Sequence, residues 1–245
     1  MTLDKRFLFL CGVPRSGTTA FAELLNLHPQ IAVGVERYKS LAMSGKTIDQ
    51  FTPGLFDKER FFDFRETDTN VRADAAYEIM RNKYSEAKWV GDKVPRYYTK
   101  LRFIFERFPN PIVFYIVRDI YDVSQSWNAR ARNEKDRWPS ENDYQKAPDE
   151  WNKGNALALK WLDEAPENFF VVSYKSLFSS GEDKVRLILE KLDLTMNDDF
   201  VRGYNNFLNR GHARKAKIIV PEEEIDLIRS KSDIDQYDEL LRRAL

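Results

Sequence analysis

At 245 residues the chain has room for one α/β domain or two small ones. Hydrophobic residues make up 42% and aromatics 13%, enough for a sizeable core, while 39 Lys+Arg against 39 Asp+Glu exclude a generic basic coat for nucleic acid but not a local basic pocket. No apolar stretch approaches the ~20 residues of a membrane span, residues 1–6 run straight into a strand and leave no room for a signal peptide, and one Cys with two His argues against a disulfide framework or a zinc site. The expectation is a cytoplasmic, metal-independent globular protein, one domain over residues 1–245, without nucleic-acid or membrane partners.

Residues 7–13 are continuously apolar, the pattern of a strand buried on both faces. A turn follows over 14–17, then a helix over 18–27, stopped because Pro29 disfavours helical backbone at His28. Residues 31–34 read as a short strand. Residues 46–72 are polar with scattered aromatics, the pattern of irregular structure such as a lid or substrate loop. A helix over 74–87, a strand over 88–92 and a helix over 96–108 come next. Residues 111–117 are the clearest central strand, followed by a helix over 121–133 and a charged surface loop over 134–148. Trp151, Ala158, Leu159 and Leu162 share one helix face, and 169–173 form another strand. Val185, Ile188, Leu189 and Leu192 stripe a further helix, and Ile234, Tyr237 and Leu241 stripe the last. Such alternation of strand and helix predicts a parallel sheet covered on both faces.

The strongest motif is Gly12-Val13-Pro14-Arg15-Ser16-Gly17-Thr18-Thr19, placed between a buried strand and a helix. There, backbone N–H groups and the helix N-terminus can face a phosphate. Gly12, Gly17 and Thr19 fit the Walker A spacing, but Thr18 occupies the lysine position. Losing the lysine that contacts the β- and γ-phosphates argues against an ordinary ATP or GTP enzyme, and the loop's cation is instead Arg15. A ligand-free tight turn is the alternative. Arg118 ends the central strand, and Ser126 follows it by eight residues in the next helix. Both can reach one anion above the carboxyl edge of the sheet. Alternatively, Arg118 pairs with Asp119 or Asp122, or Asp119 is a Mg²⁺ carboxylate.

The 14–19 loop resembles the 5′-phosphosulfate loop of sulfotransferases, which use 3′-phosphoadenosine-5′-phosphosulfate (PAPS). Arg118 and Ser126 resemble that family's 3′-phosphate pair, and Tyr174-Lys175-Ser176-Leu177 is similar to its Tyr-Glu-x-Leu, with Lys175 departing from the usual acidic residue. The resemblance implies a P-loop-NTPase-like three-layer α/β fold with a central parallel sheet flanked by helices. It also implies a PAPS-dependent, metal-free transferase releasing PAP, the 3′,5′-bisphosphate. The residues it assigns to the nucleotide are Pro14, Arg15, Ser16, Gly17, Thr18, Thr19, Arg118, Ser126 and Tyr174. Arg210 and Gly211, in the basic stretch 209–215, are either a loop over the nucleotide or a solvated linker.

Sulfuryl transfer needs fixed cations where charge develops and a base for the acceptor proton. Arg15 is one cation. Lys93 follows a strand and resembles the Lys-x-Pro of the tyrosylprotein branch, whose lysine helps the leaving group. Its alternative is a surface lysine. Glu36 also follows a strand, 21 residues after Arg15. In that branch a Glu at this spacing is the base; the alternative is a salt bridge to Arg37 or Arg96. His28 reads as structural, its positive form suiting a helix C-terminus, and Cys11 as a core residue. Residues 38–72 and 127–150 are expected to build the acceptor pocket, with Tyr38, Phe51, Phe56, Phe61, Phe62, Trp127, Trp138 and Tyr144 as its aromatics. The expected acceptor is a small-molecule or carbohydrate alcohol or phenol rather than a protein tyrosine. A kinase-like phosphotransferase and a non-catalytic nucleotide-binding module are the competing readings.

Overall fold

The computed structural model of the protein describes residues 5–69, 74–179, 182–212 and 221–245. The chain runs β1 (Arg6–Cys11), α1 (Thr18–Leu25), β2 (Ile31–Val35), α2 (Lys39–Met43), α3 (Lys58–Phe61), α4 (Ala75–Lys83), β3 (Trp89–Lys93), α5 (Leu101–Arg107), β4 (Ile112–Val117), α6 (Ile120–Ala131), α7 (Ala147–Glu164) and β5 (Phe169–Ser173). Then come α8 (Tyr174–Ser179), α9 (Glu182–Lys191), α10 (Asp198–His212), α11 (Glu222–Lys231) and α12 (Ile234–Arg242). The five strands form one sheet in the order β2-β3-β1-β4-β5, every neighbouring pair parallel. Helices cover both faces, so the fold is the three-layer α/β arrangement.

The period of two along β1 divides the core. Phe7, Phe9 and Cys11 face one helical layer, and Leu8 and Leu10 face the other. On the first face Phe9 packs edge-on against Phe56, Tyr97 and Phe108. On the second, α1 supplies Phe21, Ala22, Leu24 and Leu25. Gly91 of β3 lies beside Leu8, where a Cβ would stand 1.7 Å from the Leu8 carbonyl oxygen. Only glycine lets these strands approach.

Several elements differ from their sequence reading. β1 ends at Cys11, because Gly12 turns the chain and donates its N–H to the Pro95 carbonyl at 3.0 Å. The helix expected over 96–108 is a 3₁₀ turn at Pro95–Thr99 followed by α5. Helix α10 replaces the expected loop at 209–212, and its buried Phe200 and Tyr204, one turn apart, anchor it to the core. The described part of the expected lid, residues 46–69, is instead a cover for the core. Phe51, Phe56, Phe61 and Phe62 are buried, because they complete the apolar cluster on the Phe7–Phe9 face beside residues of α5 and α7.

Candidate active site

In a parallel sheet the loops after all five strands open at the same edge. This places the turn 12–17, Glu36, Lys93, Arg118 and Tyr174 together, although up to 162 positions separate them in sequence. A cleft of about 970 Å³ lies there. Eight Lys and Arg residues line it against two carboxylates, Glu36 and Asp136. The chain as a whole is neutral, so the excess of positive charge lining this cleft is a local feature.

The turn after β1 is shaped by conformations that ordinary residues avoid. Gly17 has φ +94° and caps α1 with no side-chain hydrogen bond, leaving the helix N-terminus open to an anion. A Cβ at Gly17 would stand 2.5 Å from the Tyr174 ring. Arg15, which is not glycine, has φ +78°. Such a conformation costs on the order of 1–3 kcal/mol and persists only where the surroundings impose it. Ser16 and Thr18 are buried, whereas Arg15 and Thr19 are exposed.

Arg15 donates from Nε to Ser126 Oγ at 2.8 Å. Arg118 donates from Nη1 to the Arg15 carbonyl at 3.2 Å and stacks on the Tyr174 ring at 4.2 Å. Four of the residues expected at the nucleotide, Ser126, Arg15, Arg118 and Tyr174, are therefore joined in one chain of contacts. Arg118 also pairs with Asp122 at 3.0 Å, so the ion pair weighed as an alternative exists beside these contacts. Asp119 is used otherwise: its carboxylate caps α6 by accepting from Tyr121 N and Asp122 N. Arg210 and Gly211 fall in the last turn of α10, their side chains outside the described residues, as is the stretch 213–220.

Across the cleft, Glu36 has φ +53° and donates its N–H to the Lys93 carbonyl at 2.8 Å. Two devices hold this bend. Thr69 Oγ1 donates to the Glu36 carbonyl at 2.6 Å. Buried Asp92 accepts from Arg37 N, Tyr38 N, Lys93 N and the Tyr97 hydroxyl. The Glu36 carboxylate meets Lys39 at 2.6 Å and Lys93 at 3.5 Å, and Lys93 Nζ donates to Thr19 Oγ1 at 3.0 Å. Lys93 is buried, not the surface lysine of the alternative. Burial pushes the Glu36 carboxyl up, but Lys93 and Lys39 together outweigh it and hold the group below its ordinary value. Burial lowers the Lys93 ammonium, with Glu36 opposing. The ion-pair alternative is thus right about a pair and wrong about its partners: Arg37 binds Asp68, and Arg96 binds Glu150.

Of the residues expected around the acceptor, some line the cleft and others are buried away from it. From residues 38–72, Lys39 and Met43 line the cleft. Tyr38 is buried and donates its hydroxyl to the Leu55 carbonyl. Trp127 is buried and donates to the Pro14 carbonyl at 2.8 Å, bracing the loop from beneath. Trp138 does line the cleft, together with Asn133, Lys135, Asp136, Arg137, Pro139 and Asn142. Tyr144 is half-buried against the small apolar cluster that contains Trp127 and Trp151. His28 is structural, but not as a cation. Burial lowers its pKa, and its Nδ1 accepts from Gln30 N, so the neutral ring presents Nε2–H to the Thr195 carbonyl. Cys11 is buried, and burial pushes its thiol far up.

Sequence reasoning missed Asp92, Arg130 and Asp136. Arg130 carried a readable signal, since it lies one turn after Ser126 on α6. Asp92 carried none, because its role rests on backbone donors from another loop.

A family model described as "Sulfotransferase family" matches residues 8–198. Protein-tyrosine sulfotransferase A of Caenorhabditis elegans is 26% identical over 198 residues, covering 78% of this chain and 51% of that protein. The chain spans about half or less of the length of the curated relatives it matches. Sulfotransferase STF9 of Mycobacterium avium superposes with a TM-score of 0.55 at 15% identity, covering 97% of this chain and 76% of that one. Mouse sulfotransferase SULT7A1, solved with PAP, gives 0.50 at 13% identity, covering 98% and 83%. No helix among the described residues is long and apolar enough to cross a membrane. The match over residues 8–198, on a parallel sheet carrying an arginine-bearing anion loop, shows that the chain belongs to the sulfotransferase family.

Proposed function

We propose that the chain transfers a sulfuryl group from PAPS to an acceptor hydroxyl without a metal, as one domain. The observation that carries this reading is the Glu36–Lys93–Thr19 cluster at the lip of the loop after β1: a buried cation with a hydroxyl at 3.0 Å on one side and a carboxylate at 3.5 Å on the other. The loop fits an anionic donor, because α1 begins without a side-chain cap and Arg15 and Arg118 stand beside it.

In this reading Glu36 accepts the proton of the acceptor hydroxyl. The acceptor oxygen bonds to sulfur as the bond from sulfur to the phosphate oxygen breaks, and PAP leaves. Lys93 and Arg15 offset the charge developing on the transferred group and the leaving oxygen. As Lys93 turns to the leaving oxygen, Glu36 loses one of the two cations that depress its pKa and becomes a stronger base when the proton must move. Arg118, Ser126 and Tyr174 hold the 3′-phosphate end, with Arg210 and Gly211 as candidates to cover it. The reading favours a small-molecule or carbohydrate acceptor, with a peptide tyrosine second because a relative is named for that substrate.

Calorimetry tests the donor. PAP should bind more tightly than adenosine 5′-phosphate by roughly 10- to 150-fold, corresponding to ~1.5–3 kcal/mol for a charge-assisted contact to the 3′-phosphate. The difference should persist in EDTA. Equal affinities sink the assignment, and ATP binding tightly only with Mg²⁺ restores the phosphotransferase reading.

A further inference from the structure

One carboxylate on the cleft wall has no part in the chemistry above. Asp136 sits on a turn between α6 and α7, and both its oxygens are gripped by Arg130, at 2.6 Å from Nε and 2.5 Å from Nη2. Arg130 is one helical turn beyond Ser126, whose hydroxyl holds Arg15. It is one of five arginines that line the cleft, Arg15 and Arg118 among them. Asp136 is also the organiser of its own turn. It accepts the Trp138 backbone N–H at 3.0 Å, and the Trp138 ring lies 5.0 Å from the Arg130 guanidinium. Lys135 and Arg137 flank it, line the cleft and make no ion pair among the described residues.

Asp136 therefore holds a guanidinium that also lines the cleft where a donor anion would bind. A bidentate carboxylate occupies the fork that a phosphate would use. Arg15 feels both groups, since Arg130 lowers its pKa and Asp136 opposes that effect. We propose that Asp136 is a positioning residue: in the free protein it holds Arg130 and ties residues 133–142 to the donor site, and an anionic group of the donor displaces it. Displacement then frees Lys135, Arg137 and Trp138 to settle on the acceptor, so donor binding sets the acceptor side of the cleft. This rests on the donor reading above.

The test is titration of PAP into the wild type, Asp136→Asn and Glu134→Gln. Glu134 lies exposed on the same turn, outside the cleft lining, so its substitution makes the same charge change without touching Arg130. Asp136→Asn should bind PAP about two- to fivefold more tightly, the scale of one exposed ion pair. Tryptophan emission of the free variant should already resemble that of the PAP-bound wild type. Glu134→Gln should match the wild type in both. A purely structural aspartate gives the opposite sign, because losing it loosens the turn and weakens binding. Affinity that Asp136→Asn leaves unchanged or lowers, or that Glu134→Gln raises equally, overturns the proposal while the donor reading stands. No PAP binding by the wild type overturns both. Melting temperatures within a few degrees establish that the variants are folded, as expected for substitutions on an exposed turn.

Discussion

Glu36→Gln should lower turnover by roughly 10²–10⁴, the usual loss when a positioned base is removed, and leave PAP affinity nearly unchanged. Glutamine keeps the side chain's length and its hydrogen bond to Lys93, but cannot take the acceptor proton. Arg15→Ala should contrast with it. Removing a cation from the loop weakens PAP binding and turnover together. The pH profile adds a signed test. Lys93 and Lys39 hold Glu36 below the ordinary carboxylate range in the free protein. The carboxylate is therefore charged throughout the mildly acidic range, and its loss on protonation sets in only below the ordinary carboxylate range. Rates of kcat/KM measured from pH 7 down to pH 5 should show no acid limb assignable to Glu36. Near-wild-type turnover in Glu36→Gln, or an acid limb near pH 6 that this substitution abolishes, removes Glu36 from the role described.

Asp68→Ala should cost about 3–5 kcal/mol of stability, the penalty for stripping a buried ion pair of one partner. Asp68 and Arg37 are both essentially inaccessible and pair at 3.0 Å, and Asp68 also binds Arg60 at 2.7 Å. Without the carboxylate, Arg37 retains only the carbonyls of Phe61, Asp63 and Arg60. The melting temperature should fall by roughly 6–20 °C on the scale of a chain this size. Arg37→Met in the same background should recover part of the loss, because an apolar side chain leaves no charge stranded. The pair also serves the site. Arg37 follows Glu36 directly, and Thr69, next to Asp68, holds the Glu36 carbonyl. Turnover should therefore drop even below the new melting point. A melting temperature unchanged within 2 °C, read against roughly 2–4 °C per kcal/mol, contradicts this account.

The relation between Glu36 and Asp92 shows how the fold holds a carboxylate at the sheet edge. The β2–α2 bend is forced into a left-handed turn at Glu36, and the Asp92 carboxylate of the neighbouring strand takes two of the freed backbone N–H groups. Parallel pairing sets Gly34 beside Asp92 and Val35 beside Lys93. The register that closes the sheet thus also brings Lys93 to Glu36.

The elements and anchors legible in the chain were those written in contiguous residues. Apolar runs at 7–13 and 111–117 mark strands buried on both faces, and a helix-breaking proline or glycine marks where they turn. From parallel strands alone it followed that Arg15, Glu36, Lys93 and Arg118 share one edge, because each closely follows a strand and all strands point the same way. Tertiary structure decided the rest. An aromatic at 51, 56 or 61 reads the same whether it lines a pocket or seals a core; packing against Phe7 and Phe9 chose the core. His28 reads as a cation at a helix end until its ring is buried against the Thr195 carbonyl, 167 residues away. Which cation Glu36 would meet depended on strand register, and which carboxylate would grip Arg130 depended on the path of the turn after α6. Ion pairs and buried hydrogen bonds join residues distant in sequence, and their energies depend on burial and distance, quantities that a linear order of residues does not contain.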